Sequence, residues 1–282
     1  MIGLMLLMLV GGIALTQAVS DPRAVTLRWL RLGGIISLSL LAVAAAAVVM
    51  AWPDEATRAS GGVALMASLL AIVMACVVAQ LVLVQLARRT AQRIAAAAAF
   101  ITATAAVCWL LGSDWPAPPV DLLGGWAVEQ STGWRATPRQ WLALAPSIAI
   151  ASGLLGGFLM TMLLGHAYLT AGGEMSQQPF RRLVLLLGGL LIARLALSAA
   201  VGLWPYLNAE SGGAGRAWNV TFIAARFGVG LIVPLVFTYM VHDCVKRRAN
   251  QSATGILYVA SVLVVVGEGS ALALFDATGW VF

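Results

Sequence analysis

The chain reads as an all-α, polytopic integral membrane protein: one bundle of about eight membrane-spanning helices over residues 1–282, with both termini on the outer, periplasmic side. Three observations predict this. Eight apolar stretches follow one another, each close to the roughly 20 residues that cross a hydrocarbon core about 30 Å thick. Only 10% of residues are charged against 61% hydrophobic, whereas soluble domains are about one quarter charged. Finally, the basic residues concentrate in every second connection, the orientation signature of short cytoplasmic loops.

The first stretch, residues 1–20, ends in Ala18-Val19-Ser20, which resembles a cleavage site. No Lys or Arg precedes it, so a retained helix is expected rather than a signal peptide. Arg23, Arg28 and Arg31 lead into the second stretch, 33–52, and Asp54, Glu55 and Arg58 separate that from the third, 61–87. Arg88, Arg89 and Arg93 precede the fourth, 94–113, whose dense alanine favours close helix packing. The longest polar connection, 114–140, carries Trp115, Trp126, Trp134 and four prolines, and reads as a structured loop at the membrane surface. The fifth stretch, 142–170, contains Gly153, Gly156 and Gly157 at spacings that let backbones approach. Arg181 and Arg182 open the sixth, 183–206. Glu210 and Arg216 lie before the seventh, 219–243, and Lys246, Arg247 and Arg248 before the eighth, 253–279.

This arrangement explains the net charge of +6 as topology, without nucleic acid as a partner. Cys76, Cys108 and Cys244 have no metal or disulfide spacing and read as core residues. Two histidines are too few for a conventional zinc site. No Walker loop, dinucleotide fingerprint, nucleophile elbow or His-Glu-x-x-His occurs, so hydrolase and nucleotide-driven chemistry have no support. The sequons at Asn219 and Asn250 are weak, and the second falls on the cytoplasmic side.

Function is then to be sought among polar groups inside the membrane. An ionisable side chain at the bilayer centre costs roughly 2.5–3.5 kcal/mol even on lenient scales, so it normally faces protein or water. Arg194, Arg226 and Glu268 qualify. Arg226 and Glu268 both fall in the outer halves of helices seven and eight, where an ion pair either pins two helices together or belongs to a proton or quinone pocket. His166 and His242 lie near the cytoplasmic ends of helices five and seven, at matched depth. Such a pair is compatible with axial ligation of a b-type haem, with quinone or proton transfer, or with simple interfacial placement. Tyr168 and Tyr239 are placed to hydrogen-bond a quinone headgroup, or to join the interfacial aromatic belt.

Three stretches carry a resemblance: Leu163–Gly173 at the end of helix five, Ala225-Arg226-Phe227-Gly228-Val229-Gly230-Leu231-Ile232-Val233-Pro234-Leu235 in helix seven, and Val265-Val266-Gly267-Glu268-Gly269 in helix eight. They are similar to helices of the NrfD-like membrane anchors of polysulfide and dimethyl-sulfoxide reductases, over about residues 150–280. The resemblance implies an eight-helix subunit that is not catalytic alone. Such a subunit binds quinol in the inner membrane and passes electrons to iron–sulfur or cytochrome partners. It also implies Arg226 and Glu268 as organisers of the quinone or its proton path. Helices two to four depart from that pattern: their main polar groups are Gln80 and Gln85.

Two other classes compete. A small-solute or ion transporter also carries intramembrane charge and interrupted helices, for which Pro146 and Pro234 are candidates, but no internal repeat is evident between the two halves of the sequence. A ligand-free structural or assembly subunit of a larger membrane complex is the third.

Overall fold

In a computed structural model of the chain, residues 2–50, 61–112, 138–170, 176–203 and 215–278 are described, and all regular structure among them is helical. Helices satisfy their backbone polar groups internally, which lipid requires of any spanning segment outside a closed barrel. The elements are α1 (Ile2–Val19), α2 (Leu27–Met50), α3 (Gly61–Gln85), α4 (Arg89–Gly112), α5 (Pro138–Thr170), α6 (Gln178–Leu197, continued by a π-helical Ser198–Leu203), α7 (Gly215–Ala224, a π-helical Ala225–Ile232, then Val233–Lys246) and α8 (Asn250–Thr278). Each contains a segment long and apolar enough to cross a membrane. Outward-facing apolar residues such as Ile101, Ile192 and Val262 are about 60% exposed, a surface suited to lipid.

Helix ends overrun the apolar stretches. α2 starts six residues before position 33, and α4 takes in Arg89 and Arg93. Hydropathy marks the hydrocarbon-core segment, whereas the hydrogen-bond ladder continues through interfacial Arg and Gln, which are good helix formers. The tryptophan-rich connection lies outside the described residues, except that its last three positions open α5. Pro146 interrupts nothing, since α5 runs straight through it. Pro234 does mark an interruption. It cannot donate an amide to the preceding turn, and the Val233 amide reaches five residues back to the Gly228 carbonyl, the π pattern.

The helices form two four-membered rings. In each ring the helices pack in sequence order and the fourth closes on the first, and α1 against α5 joins the rings. The absence of an internal repeat expected from the sequence is therefore corrected: the fold is duplicated. The burial pattern of Trp29–Val48 in α2 recurs in Pro179–Ser198 of α6, and that of residues 71–87 recurs in 232–248. The α3–α4 turn donates from Leu86 to Val82, Ala87 to Val84 and Arg88 to Leu83. The α7–α8 turn repeats the set as Arg247 to Asp243, Arg248 to Val245 and Ala249 to Cys244. The sequence conceals this because paired positions share burial, not residue type.

α1 and α5 cross at Gly12 and Gly156, where a Cβ on either residue would run into the other helix's backbone. Gly11 meets Ser152, and five residues on in both helices Thr16 meets Gly157, so the two helices run parallel. Small residues at this crossing let van der Waals packing hold the rings together in lipid.

Candidate functional site

Every helix of the second ring contributes to one buried polar cluster. Glu268 on α8 lies between Arg194 on α6 and Arg226 on α7, and all three are at most 3% exposed. Arg194 donates through Nη2 to Glu268 Oε2 at 2.9 Å and through Nε to Oε1 at 3.3 Å, a bidentate grip. Arg226 donates through Nη1 to Glu268 Oε1 at 2.8 Å and through Nη2 to Ser198 Oγ at 3.3 Å. Ser147 on α5 accepts a further bond from Arg194 Nη1. Arg226 Nε is buried with no hydrogen-bond partner among the described residues.

The local fold explains why Arg226 faces inward. Met66 in α3 occupies the matching buried position, but seven residues separate Met66 from Val73 while eight separate Arg226 from the matching Pro234. The π segment absorbs this extra residue, as a π-bulge does, and thereby turns Arg226 rather than Phe227 into the core. Beside it, Gly230 and Gly267 touch backbone to backbone, bringing α7 close enough to α8 for the ion pair. In the first ring the positions matching Arg194, Arg226 and Glu268 hold Ala44, Met66 and Val107, all buried and apolar. The charges thus belong to one half of a duplicated frame.

Two guanidinium groups share one carboxylate, so the cluster is net positive. A cavity of about 20 Å3 adjoins it, lined by Ser147, Arg194, Glu268, Met8, Leu144 and Phe275 among others. A void of roughly 10–15 Å3 suffices for one water, whereas ligand pockets occupy about 300–1,000 Å3. The space beside Glu268 thus suits water and is far too small for a quinone ring.

The remaining candidates lie elsewhere. His166 is exposed on α5, on the face opposite buried Leu164 and Tyr168, and His242 is half-buried on α7 with Nε2 unpartnered. α5 and α7 are diagonal in their ring, each packing on α6 and α8. With His166 turned away from the interior, the two imidazoles do not fit the axial positions of a haem inside the bundle. Tyr168 is 2% exposed, stacks on Phe180 at 5.4 Å and donates its hydroxyl to the Ser176 carbonyl, so its donor is already engaged within the protein. Tyr239 is 78% exposed on the outside of α7. No group of three or more His, Cys, Asp or Glu able to hold a metal occurs among the described residues. Cys108 is buried, while Cys76 and Cys244 are half-buried, and all three are free thiols.

A second polar cluster, in the first ring, joins Gln80 to Gln17, a residue that the sequence does not mark. Gln17 on α1 donates to the Leu30 carbonyl at 2.9 Å and accepts from Gln80 on α3. Gln92 on α4 is fully buried, with neither carboxamide atom partnered among the described residues. Gln85, by contrast, is exposed. Gln17 lies at the end of an apolar stretch and Gln92 within an arginine-rich one, where only helix facing distinguishes a buried amide from an interfacial one.

Fold and site together define an integral membrane protein of eight helices in two four-helix rings, with an ionic cluster buried in the second. No protein-family profile matches the sequence, and neither a curated protein nor a solved structure is similar to it at a significant level.

Proposed function

We propose that the chain is the integral subunit of a quinone-linked electron-transfer complex of a bacterial inner membrane, its arginine-rich end in the cytoplasm and both termini outside. The observation that carries this reading is Glu268 held between Arg194 and Arg226 in a lipid-embedded bundle beside a water-sized cavity. A buried charge pair is a poor source of stability against well-packed apolar residues, and the first ring manages without one, so a role beyond packing accounts for it. Two of the three stretches resembling the NrfD-like anchors supply Arg226 and Glu268, and they pack against each other through Gly230 and Gly267.

Oxidation of a quinol releases two electrons and two protons. In this reading the electrons leave for iron–sulfur or cytochrome partners, and Glu268 relays the two protons in turn through water in the adjoining cavity, without touching the ring. The test is saturable tryptophan-fluorescence quenching of the purified chain by a short-tailed quinone analogue, compared between the wild type and Glu268→Gln. Retained binding in the variant together with slower quinol oxidation by the assembled complex supports the assignment of Glu268 to the proton step. Absence of saturable quenching in the wild type removes it.

A ligand-free assembly subunit is the second reading, favoured by the cavity's size and by the engagement of Glu268 with its own arginines. Transport regains standing from the duplication, since parallel repeats occur in transporters. Solute uptake by liposomes containing the chain alone would favour it.

A further inference from the structure

We propose that the cleft between the start of α6 and the end of α7 is a binding site for a phosphate-bearing anion, filled in the membrane by the headgroup of an acidic phospholipid. The cleft measures about 350 Å3, a volume in the range of ligand sites. Arg181, Lys246 and Arg248 line it from three segments: the first turn of α6, the last turn of α7 and the turn into α8. Ser176 and Gln177 complete its polar wall, and buried Val245 forms its floor.

The cations there are not neutralised internally. No carboxylate lines the cleft among the described residues, and the nearest acid on α7, Asp243, is bonded to Arg247 at 3.0 Å. At the same end of the first ring two arginines bond to the chain itself: Arg89 donates to the Pro22 carbonyl and Arg93 to that of Ala18, closing the end of α1. Arg181, Lys246 and Arg248 have no such side-chain bond among the described residues. The α6 N-terminus, where Ser176 Oγ accepts from the Gln178 amide at 3.3 Å and Gln177 makes no side-chain cap, adds the positive end of a helix dipole.

The surroundings favour a lipid as the source of the phosphate. The cleft lies at the end of the bundle where interfacial headgroups sit, and basic pockets between helices at that depth bind acidic headgroups. From Arg181 an exposed track of Leu185, Gly189 and Ile192 runs down α6 at helical spacing, offering an acyl chain an apolar path.

The experiment counts lipids retained by the detergent-purified full chain in native mass spectrometry, after exposure to phosphatidylglycerol or phosphatidylcholine. Each basic side chain near an anionic group contributes enough for about a fivefold preference, so at least a roughly tenfold excess of retained phosphatidylglycerol is expected. The triple variant R181Q/K246Q/R248Q should lose that excess while R89Q/R93Q keeps it. Competition by inorganic phosphate with no lipid preference would assign the cleft to a free oxyanion instead. Equal retention of the two lipids by the wild type without phosphate competition would overturn the proposal, and that comparison needs no variant to fold.

Discussion

Ala87 and Arg248, 161 residues apart, are the two non-glycine residues with positive φ among those described, at 53° and 57°. Each sits at the turn of its ring's last hairpin, in the same hydrogen-bond pattern. A side chain held in the left-handed region costs about 1–2 kcal/mol, so one strained turn built twice is a property of the repeated unit, kept whatever residue occupies it.

Glycine at these positions should therefore stabilise the chain. Relief of the left-handed penalty exceeds the extra unfolded-state freedom of glycine, leaving a net gain of about 0.5 kcal/mol for Ala87→Gly and for Arg248→Gly. Ala87→Val should lower stability, because a β-branched side chain tolerates positive φ worst. Thermal unfolding in detergent measures all three. Opposite signs for the two glycine variants would contradict the structural equivalence of the turns.

The ionic cluster gives a sharper contrast. Glu268→Gln leaves Arg194 and Arg226 buried without a counter-charge, a loss expected at about 3–5 kcal/mol. The combined variant Arg194→Met, Arg226→Met and Glu268→Leu removes all the charge, as the first ring does with Ala44, Met66 and Val107. It should recover most of that stability while leaving quinol oxidation by the assembled complex as slow as in Glu268→Gln. Denaturation midpoints of the two variants decide the first part. A combined variant as unstable as Glu268→Gln would mean that the charges are needed for folding itself.

What the sequence reveals about this molecule follows what hydropathy can encode. Eight spans are legible because lipid demands long apolar runs, and Arg226 with Glu268 is legible because charge inside such a run is conspicuous. Arg194 is equally conspicuous alone, yet its place against Glu268 depends on α6 and α8 both facing a ring interior, which only the packing discloses. Ser147 and Ser198 carry no signal, since serine is common in membrane helices. The duplication is not legible in the sequence because pairs such as Ala44 with Arg194 and Val107 with Glu268 match in burial and differ in chemistry. The matched depth of His166 and His242 suggested a shared ligand, but depth says nothing of helix facing, and His166 faces outward.

Gln92 offers a third test. Its carboxamide is fully buried with neither atom partnered among the described residues, and an unsatisfied buried polar group costs about 1–3 kcal/mol. Replacement by the similarly shaped methionine should stabilise the chain by about 1 kcal/mol, whereas Gln80→Met should destabilise it by leaving Gln17 without its partner. Thermal midpoints falling alike for both variants would show that Gln92 is hydrogen-bonded in the membrane.

The α1–α5 crossing between the rings passes through two glycines, and this gives the most stringent prediction. A methyl group at Gly12 meets the Ser152 carbonyl and the Gly156 amide, and one at Gly156 meets the Gly12 carbonyl carbon, so backbone rather than side chain has to move. Main-chain atoms of two packed helices cannot yield as a flexible side chain does. Gly12→Ala or Gly156→Ala should therefore cost about 1–3 kcal/mol or more and loosen α1 from α5. Gly189 has nothing within 4 Å of the equivalent position, so Gly189→Ala should be neutral or slightly stabilising through helix propensity. Cysteine cross-linking of α1 to α5, at Thr16 and Gly157 in each background, reads the crossing directly. The linkage should form in Gly189→Ala and be impaired in Gly12→Ala. Undiminished cross-linking together with an unchanged melting temperature in Gly12→Ala would show that the two rings are not held by this close approach.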